Sequence, residues 1–184
     1  SLTANPGFLR LYALNPSGEK EPVLWNCSNV LTQKLVCPYF KASVCLRIDG
    51  LQENEQAGMV MMGGHYAYLA VRMINGEKTL VQAEAYDAED GSVKEKTNVL
   101  KLAGNAEKII FSFAMEEGKD GPIFKMFFTL GEEEVAVQTD FMPSDHTWVG
   151  AKIGLFATAL KENAGNGGYA DFEYIHVTSL AEGN

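Results

Sequence analysis

The chain has 184 residues, 46% of them hydrophobic and 10% aromatic, with a formal net charge of −9 and an isoelectric point near 4.8. This length suffices for one core that removes roughly 70% of the unfolded surface from water, and the composition lacks the polar, charge-dominated bias of chains that stay disordered. The acidity argues against nucleic acid as a partner, because a phosphate backbone is held by clustered Lys and Arg, and no run approaches the roughly 20 apolar residues of a membrane span.

A first strand-like run covers Phe8 to Leu14 and breaks at Asn15-Pro16-Ser17-Gly18. The clearest strand follows at Phe40 to Ile48, where Phe40, Ala42, Val44, Leu46 and Ile48 alternate with Lys41, Ser43, Cys45 and Arg47, the two-residue period of a half-buried strand. Ala57 to Met62 comes next, then the Gly63-Gly64 break, then Tyr66 to Ile74. Asn75-Gly76 is a strong hairpin signal, since both residues tolerate positive φ, and it joins that run to Thr79 to Ala85. Further runs at Lys108 to Met115, Ile123 to Leu130, Val149 to Ala157 and Tyr169 to Val177 are separated by Asp90-Gly91, Lys119-Asp120-Gly121 and the glycine-rich 164–168. Many short strands at even spacing, without a stretch of helical period, predict an all-β antiparallel sandwich or barrel rather than a βαβ fold. No linker or internal repeat interrupts the pattern, so residues 1–184 read as one domain.

Three cysteines, Cys27, Cys37 and Cys45, form neither a disulfide framework nor a zinc set; Cys45 reads as a packing residue. The histidines His65, His146 and His176 are isolated, and Ser28, Ser112 and Ser144 sit in no nucleophile-elbow context. Glu84 to Gly91 reads as a strand ending in a solvated turn, and Glu116-Glu117-Gly118 and Glu132-Glu133-Glu134 read as charged hairpin tips. Asn26-Cys27-Ser28 matches the short glycosylation pattern.

A saccharide site needs rings that stack on sugar faces beside polar groups that bond hydroxyls, and a strand delivers these at alternate positions. Tyr66, Tyr68 and Arg72 share one parity; Gln82, Glu84 and Tyr86 share another on the strand across the Asn75-Gly76 hairpin. Together they make a candidate carbohydrate-binding face. The alternatives are that this face packs on another domain or that the tyrosines fill the sandwich core. Trp148, near Phe141 and Phe156, reads as a core residue.

Five blocks then bring a resemblance: Phe8-Leu9-Arg10-Leu11-Tyr12-Ala13-Leu14; Asn29-Val30-Leu31-Thr32-Gln33-Lys34; Ala57 to Met62 with Tyr66-Ala67-Tyr68-Leu69; Trp148 to Phe156; and Gly168-Tyr169-Ala170-Asp171-Phe172. In this order they resemble the C-terminal concanavalin-like domain of family-43 β-xylosidases and arabinofuranosidases. The resemblance implies a two-sheet antiparallel jelly-roll sandwich of the concanavalin or laminin-G type. It further implies a non-catalytic role beside a five-bladed catalytic propeller, in a parent acting on xylan- or arabinan-type hemicellulose in the periplasm or outside the cell, a reducing cytoplasm being compatible with the free cysteines. Xylo- or arabino-oligosaccharide is then a candidate ligand. In the family a tryptophan-containing strand and an Asn-Pro turn precede the segment that here begins at Ser1, so the expectation is a chain cut within its parent or divergent at its start, with an exposed sheet edge.

Concanavalin-like glucanases place catalytic carboxylates as Glu-x-Asp-x-x-Glu on one strand; Glu84, Asp87, Glu89 and Asp90 do not match that spacing. Related sandwiches clip their terminal strands with calcium, which makes Asp171 a candidate ligand for a structural ion and leaves no other cofactor expected. The loop Asp140 to His146 is a candidate to reach an attached active site. Two rival readings stay open: a free-standing carbohydrate-binding module, and an independent glycosidase or lyase on the same sandwich.

Overall fold

The computed structural model describes residues 1–14, 23–27, 29–35, 37–144, 150–161 and 167–180. Among them twelve strands run as β1 (Leu9–Tyr12), β2 (Val30–Lys34), β3 (Phe40–Arg47), β4 (Glu55–Met62), β5 (Tyr66–Ile74), β6 (Glu77–Asp87), β7 (Val93–Leu102), β8 (Lys108–Gly118), β9 (Gly121–Leu130), β10 (Glu133–Val137), β11 (Lys152–Ala159) and β12 (Tyr169–Ser179). They form two six-stranded antiparallel sheets, the first ordered β1-β12-β3-β8-β9-β10 and the second β2-β11-β4-β5-β6-β7. The predicted all-β sandwich is therefore the observed fold, and a single 3-10 turn at Leu24–Asn26 is the one helical element described.

Alternation decides which side chains meet between the sheets. Phe40, Ala42, Val44 and Leu46 of β3 face Ala57, Met59 and Met61 of β4, Ala67, Leu69 and Val71 of β5 and Phe111 and Phe113 of β8 in one core cluster, every one of them fully buried. Complete burial of a Phe or Leu side chain contributes about 1.5 to 3 kcal/mol each, so this layer dominates stability. The runs Gly58-Met59-Val60-Met61 and Tyr66-Ala67-Tyr68-Leu69-Ala70-Val71 are apolar at both parities because the second sheet is covered on both faces. Its outer face carries a separate cluster of Val60, Tyr66, Tyr68, Ala70, Val81, Ala83, Ala85 and Phe156, roofed by Leu24.

Turn chemistry holds at Asn75-Gly76, while the predicted break at Asn15-Pro16-Ser17-Gly18 and residues 164–166 of the glycine-rich break lie outside the described residues. Asn75 and Gly76 have φ of 53° and 74°, the pair of positive angles a two-residue type I′ hairpin needs. Gly58 has another role: a Cβ there would lie 2.0 Å from the Leu69 carbonyl oxygen, so the β4–β5 pairing excludes any side chain at that position.

Several strand readings need correction. β2, β7 and β10 carry little apolar periodicity, and the pattern above does not predict them as strands. All three are edge or near-edge elements, and β7 alternates Lys and Glu as exposed edges do. The acidic run at 132–134 is a tip only at Gly131 and Glu132, since Glu133 and Glu134 already pair with Leu130 and Thr129. β6 extends to Asp87, so Glu84 is an interior strand residue and the solvated turn begins after it. Edge strand β1 pairs with β12 on one side, and on the other its Arg10 N–H donates to the Ser1 carbonyl at 2.9 Å. His146, Trp148 and Ser28 lie outside the described residues, as does the start of the Val149 to Ala157 run.

Candidate functional site

β5 projects Tyr66, Tyr68 and Arg72 to the outer face of the second sheet, and the edge strand β7, which lies across β6 from it, projects Glu95 and Thr97 to the same face. The Tyr66 hydroxyl donates to Glu95 Oε1 at 2.6 Å and the Tyr68 hydroxyl donates to Glu95 Oε2 at 2.7 Å. Arg72 Nη2 donates to the Tyr68 oxygen at 2.7 Å and lies 3.8 Å from Glu95 Oε2, while Arg72 Nε donates to Gln56 Oε1 at 2.8 Å. Burial, and then the charge of Glu95, push both phenols upward from their ordinary pKa, so they stay protonated as donors. The result is a carboxylate that accepts two phenol hydrogen bonds, the charge-assisted form, with the Arg72 guanidinium nearby as an ion pair.

The segment Val23 to Cys27 lies over this group. Leu24 N–H donates to the Tyr66 oxygen at 3.0 Å, and the Trp25 and Tyr66 rings meet edge to face at 6.0 Å. Tyr66 and Tyr68 are both fully buried, so neither ring is an open stacking platform. They pack within the second cluster beside Phe156, whose ring meets Tyr68 edge to face at 5.1 Å, rather than between the sheets. A cleft of ≈ 400 Å³ remains at the edge of the cover, lined by Val23, Arg72, Glu95, Thr97 and, at its rim, Tyr86, which is 45% exposed.

Gln82 and Glu84 do not join this group. The register sets Tyr68 opposite Ala83, and sets Ala67 and Leu69 opposite Glu84 and Gln82, so the two glutamyl-type residues point toward the first sheet. The expected six-residue face is thus two groups on opposite sides of one sheet. Gln82 Nε2 donates to Glu84 Oε1 at 2.8 Å, and Thr139 Oγ1 donates to the same oxygen at 2.7 Å. This contact fixes the start of the segment expected to reach outward: Phe141 N–H donates to Thr139 Oγ1, the Phe141 ring meets Phe124 edge to face at 5.7 Å, and Gly64 N–H donates to the Ser144 carbonyl. Its described part closes the side of the sandwich, leaving Asp140 and Met142 at the surface.

Asp171 of β12 is joined to the edge strand β1 through Arg10. Arg10 Nε and Nη2 donate to its two oxygens at 2.7 Å each, and Asn5 Nδ2 donates to Oδ2 at 2.8 Å. These donors hold the buried Asp171 carboxyl below its ordinary pKa. The residues present do not fit a calcium cage: both oxygens face a guanidinium, and among the described residues no group of three or more His, Cys, Asp or Glu could hold a metal. Elsewhere Ser112 bonds the Ser43 hydroxyl at 2.8 Å, His176 stacks on Tyr174, and Cys45 is a buried thiol, all structural placements.

Glu95 and Gln56 were missed as members of the outer cluster. Glu95 sits between Lys94 and Lys96 in the edge strand β7, where the local pattern reads as a solvated charged edge. No helix among the described residues is long and apolar enough to cross a membrane.

The whole arrangement has known counterparts. The family model described as the β-xylosidase C-terminal concanavalin A-like domain matches residues 1–178. A bifunctional GH43-CE protein of Bacteroides eggerthii is 25% identical, with a TM-score of 0.73, over 99% of this chain and 22% of its own. An engineered GH43 glycoside hydrolase with endo-xylanase and exo-arabinofuranosidase activity superposes with a TM-score of 0.79 at 15% identity, covering 98% of this chain and 36% of that one. A GH43 protein of Bacillus licheniformis gives 0.67 at 16% identity, over 98% and 34%. The chain thus spans between about a fifth and about a third of these solved relatives, and no curated protein matches it. By its fold and by the match over nearly its full length, the chain belongs to the β-xylosidase C-terminal concanavalin A-like domain family of GH43 glycoside hydrolases.

Proposed function

We propose that this chain is the non-catalytic sandwich module of a family-43 glycoside hydrolase and that it supports a catalytic propeller carried elsewhere in the parent protein. The observation that carries the reading is the match of a single domain family to residues 1–178 in relatives several times longer than this chain. The parent's substrates would be xylose- or arabinose-bearing hemicellulose, met in the periplasm or outside the cell.

The test compares thermal unfolding and turnover of the parent hydrolase with and without this chain. The expected result is a catalytic domain whose melting temperature falls by several degrees when the module is removed, while the isolated module releases no reducing ends from xylan or arabinan. Reducing-end release by the isolated chain, or a parent indifferent to its loss, would overturn the reading.

A further inference from the structure

We propose that the cleft between the β6–β7 hairpin and the β9–β10 hairpin is a binding site for a neutral saccharide. Register places Gln82 and Glu84 of β6, and Asn98 and Lys96 paired with them on β7, on the side of the second sheet that faces the first. The same parity on β5 supplies Ala67, Leu69 and Val71 to the core. Polar side chains at positions where a sandwich buries apolar ones cost solvation unless they are bonded or reach water. Here both conditions hold, because the sheets part at this end around a cleft of ≈ 570 Å³.

The cleft has a fixed polar wall. Asn98 Nδ2 donates to Gln82 Oε1 at 3.4 Å, Gln82 Nε2 donates to Glu84 Oε1, and Thr139 completes the row from the facing segment. Gln82, only 2% exposed, is thereby locked and holds Glu84 in place. Among the described residues the second Glu84 oxygen and the Lys96 ammonium make no hydrogen bond or ion pair, so an acceptor and a donor remain open at directly paired positions. Their opposite charges cancel, which favours neither an anion nor a cation. A carboxylate, an amide row and an ammonium gathered in one cleft match the hydroxyls of a sugar.

The choice of a pentose probe rests on the module reading; the site itself does not. Two-dimensional amide NMR spectra of the chain titrated with xylotetraose, and separately with arabinotetraose, should show shifts concentrated at 82–84, 96–98 and 137–140. Lys96→Ala, at an exposed position, and the near-isosteric Glu84→Gln should each weaken binding about tenfold, the equivalent of one charge-assisted hydrogen bond. Lys96→Ala should leave the melting temperature unchanged, which separates lost contact from lost fold. Silence at millimolar sugar, unchanged affinity in both variants, or shifts gathered instead around Tyr66, Arg72 and Glu95 would overturn the proposal. None of these results bears on whether the parent needs the module for stability, which the unfolding comparison decides.

Discussion

Replacing Arg10 by Met tests the clip that ties edge strand β1 to β12. Arg10 gives two parallel hydrogen bonds to Asp171 and lies 3.5 Å over the Tyr169 ring, and the side chains of the pair are 17% and 5% exposed. Removing one partner of a fully buried pair costs about 3 to 5 kcal/mol, because the remaining charge is stranded. Asn5 still donates to Asp171, and the guanidinium is partly solvated, so the expectation is about 2 to 3 kcal/mol. For a domain of this size that corresponds to a melting temperature lower by about 4 to 12 °C. The pH dependence carries the sign of the effect. Asp171 has a lowered pKa in the folded chain, so its contribution is complete above the unfolded carboxyl value of about 3.9 and is lost as the pH falls through the lower native value. Thermal unfolding of both proteins from neutral pH down into the acid range should therefore show the two curves converging at the acid end. A loss below about 0.5 kcal/mol at neutral pH, or a difference that persists when the carboxylates are protonated, would refute the reasoning.

Tyr68→Phe removes a fully buried hydroxyl that donates to Glu95 and accepts from Arg72, and should cost about 1 to 3 kcal/mol in urea unfolding with the m-value unchanged. Gly58→Ala should prevent β4 and β5 from pairing, for a loss of about 3 kcal/mol or more by the same measurement, since the new methyl would meet the backbone oxygen of Leu69 rather than a movable side chain. Phe113→Ala, in the layer between the sheets and fully buried, should cost about 3 to 5 kcal/mol by calorimetry. Asn75→Val places a β-branched residue at φ of 53° and should lower stability by about 1 to 2 kcal/mol, with Asn75→Gly nearly neutral in parallel scans.

The sandwich is legible in the amino-acid pattern. Two-residue alternation in β3, turn residues at regular intervals and the Asn75-Gly76 signal leave little room for another fold class, and the five resembling blocks named its family. It also held more than was read from it. A two-residue loop at Asn75-Gly76 pairs Ile74 with Glu77 and so sets Tyr68 opposite Ala83, which puts Gln82 and Glu84 on the other face of the sheet. The continuous apolar runs of β4 and β5 likewise announced that the second sheet is covered on both sides. Tertiary structure alone decided what does the covering. That the segment Val23 to Cys27 roofs the tyrosines, that Glu95 takes both hydroxyls, and that Arg10 meets Asp171 depend on pairings across 42, 29 and 161 residues of chain. Local periodicity reports only which side of a strand is apolar. Which distant side chain arrives there is set by the folding of the whole chain, because hydrogen bonds and ion pairs act over a few ångströms of space and are blind to separation along the sequence.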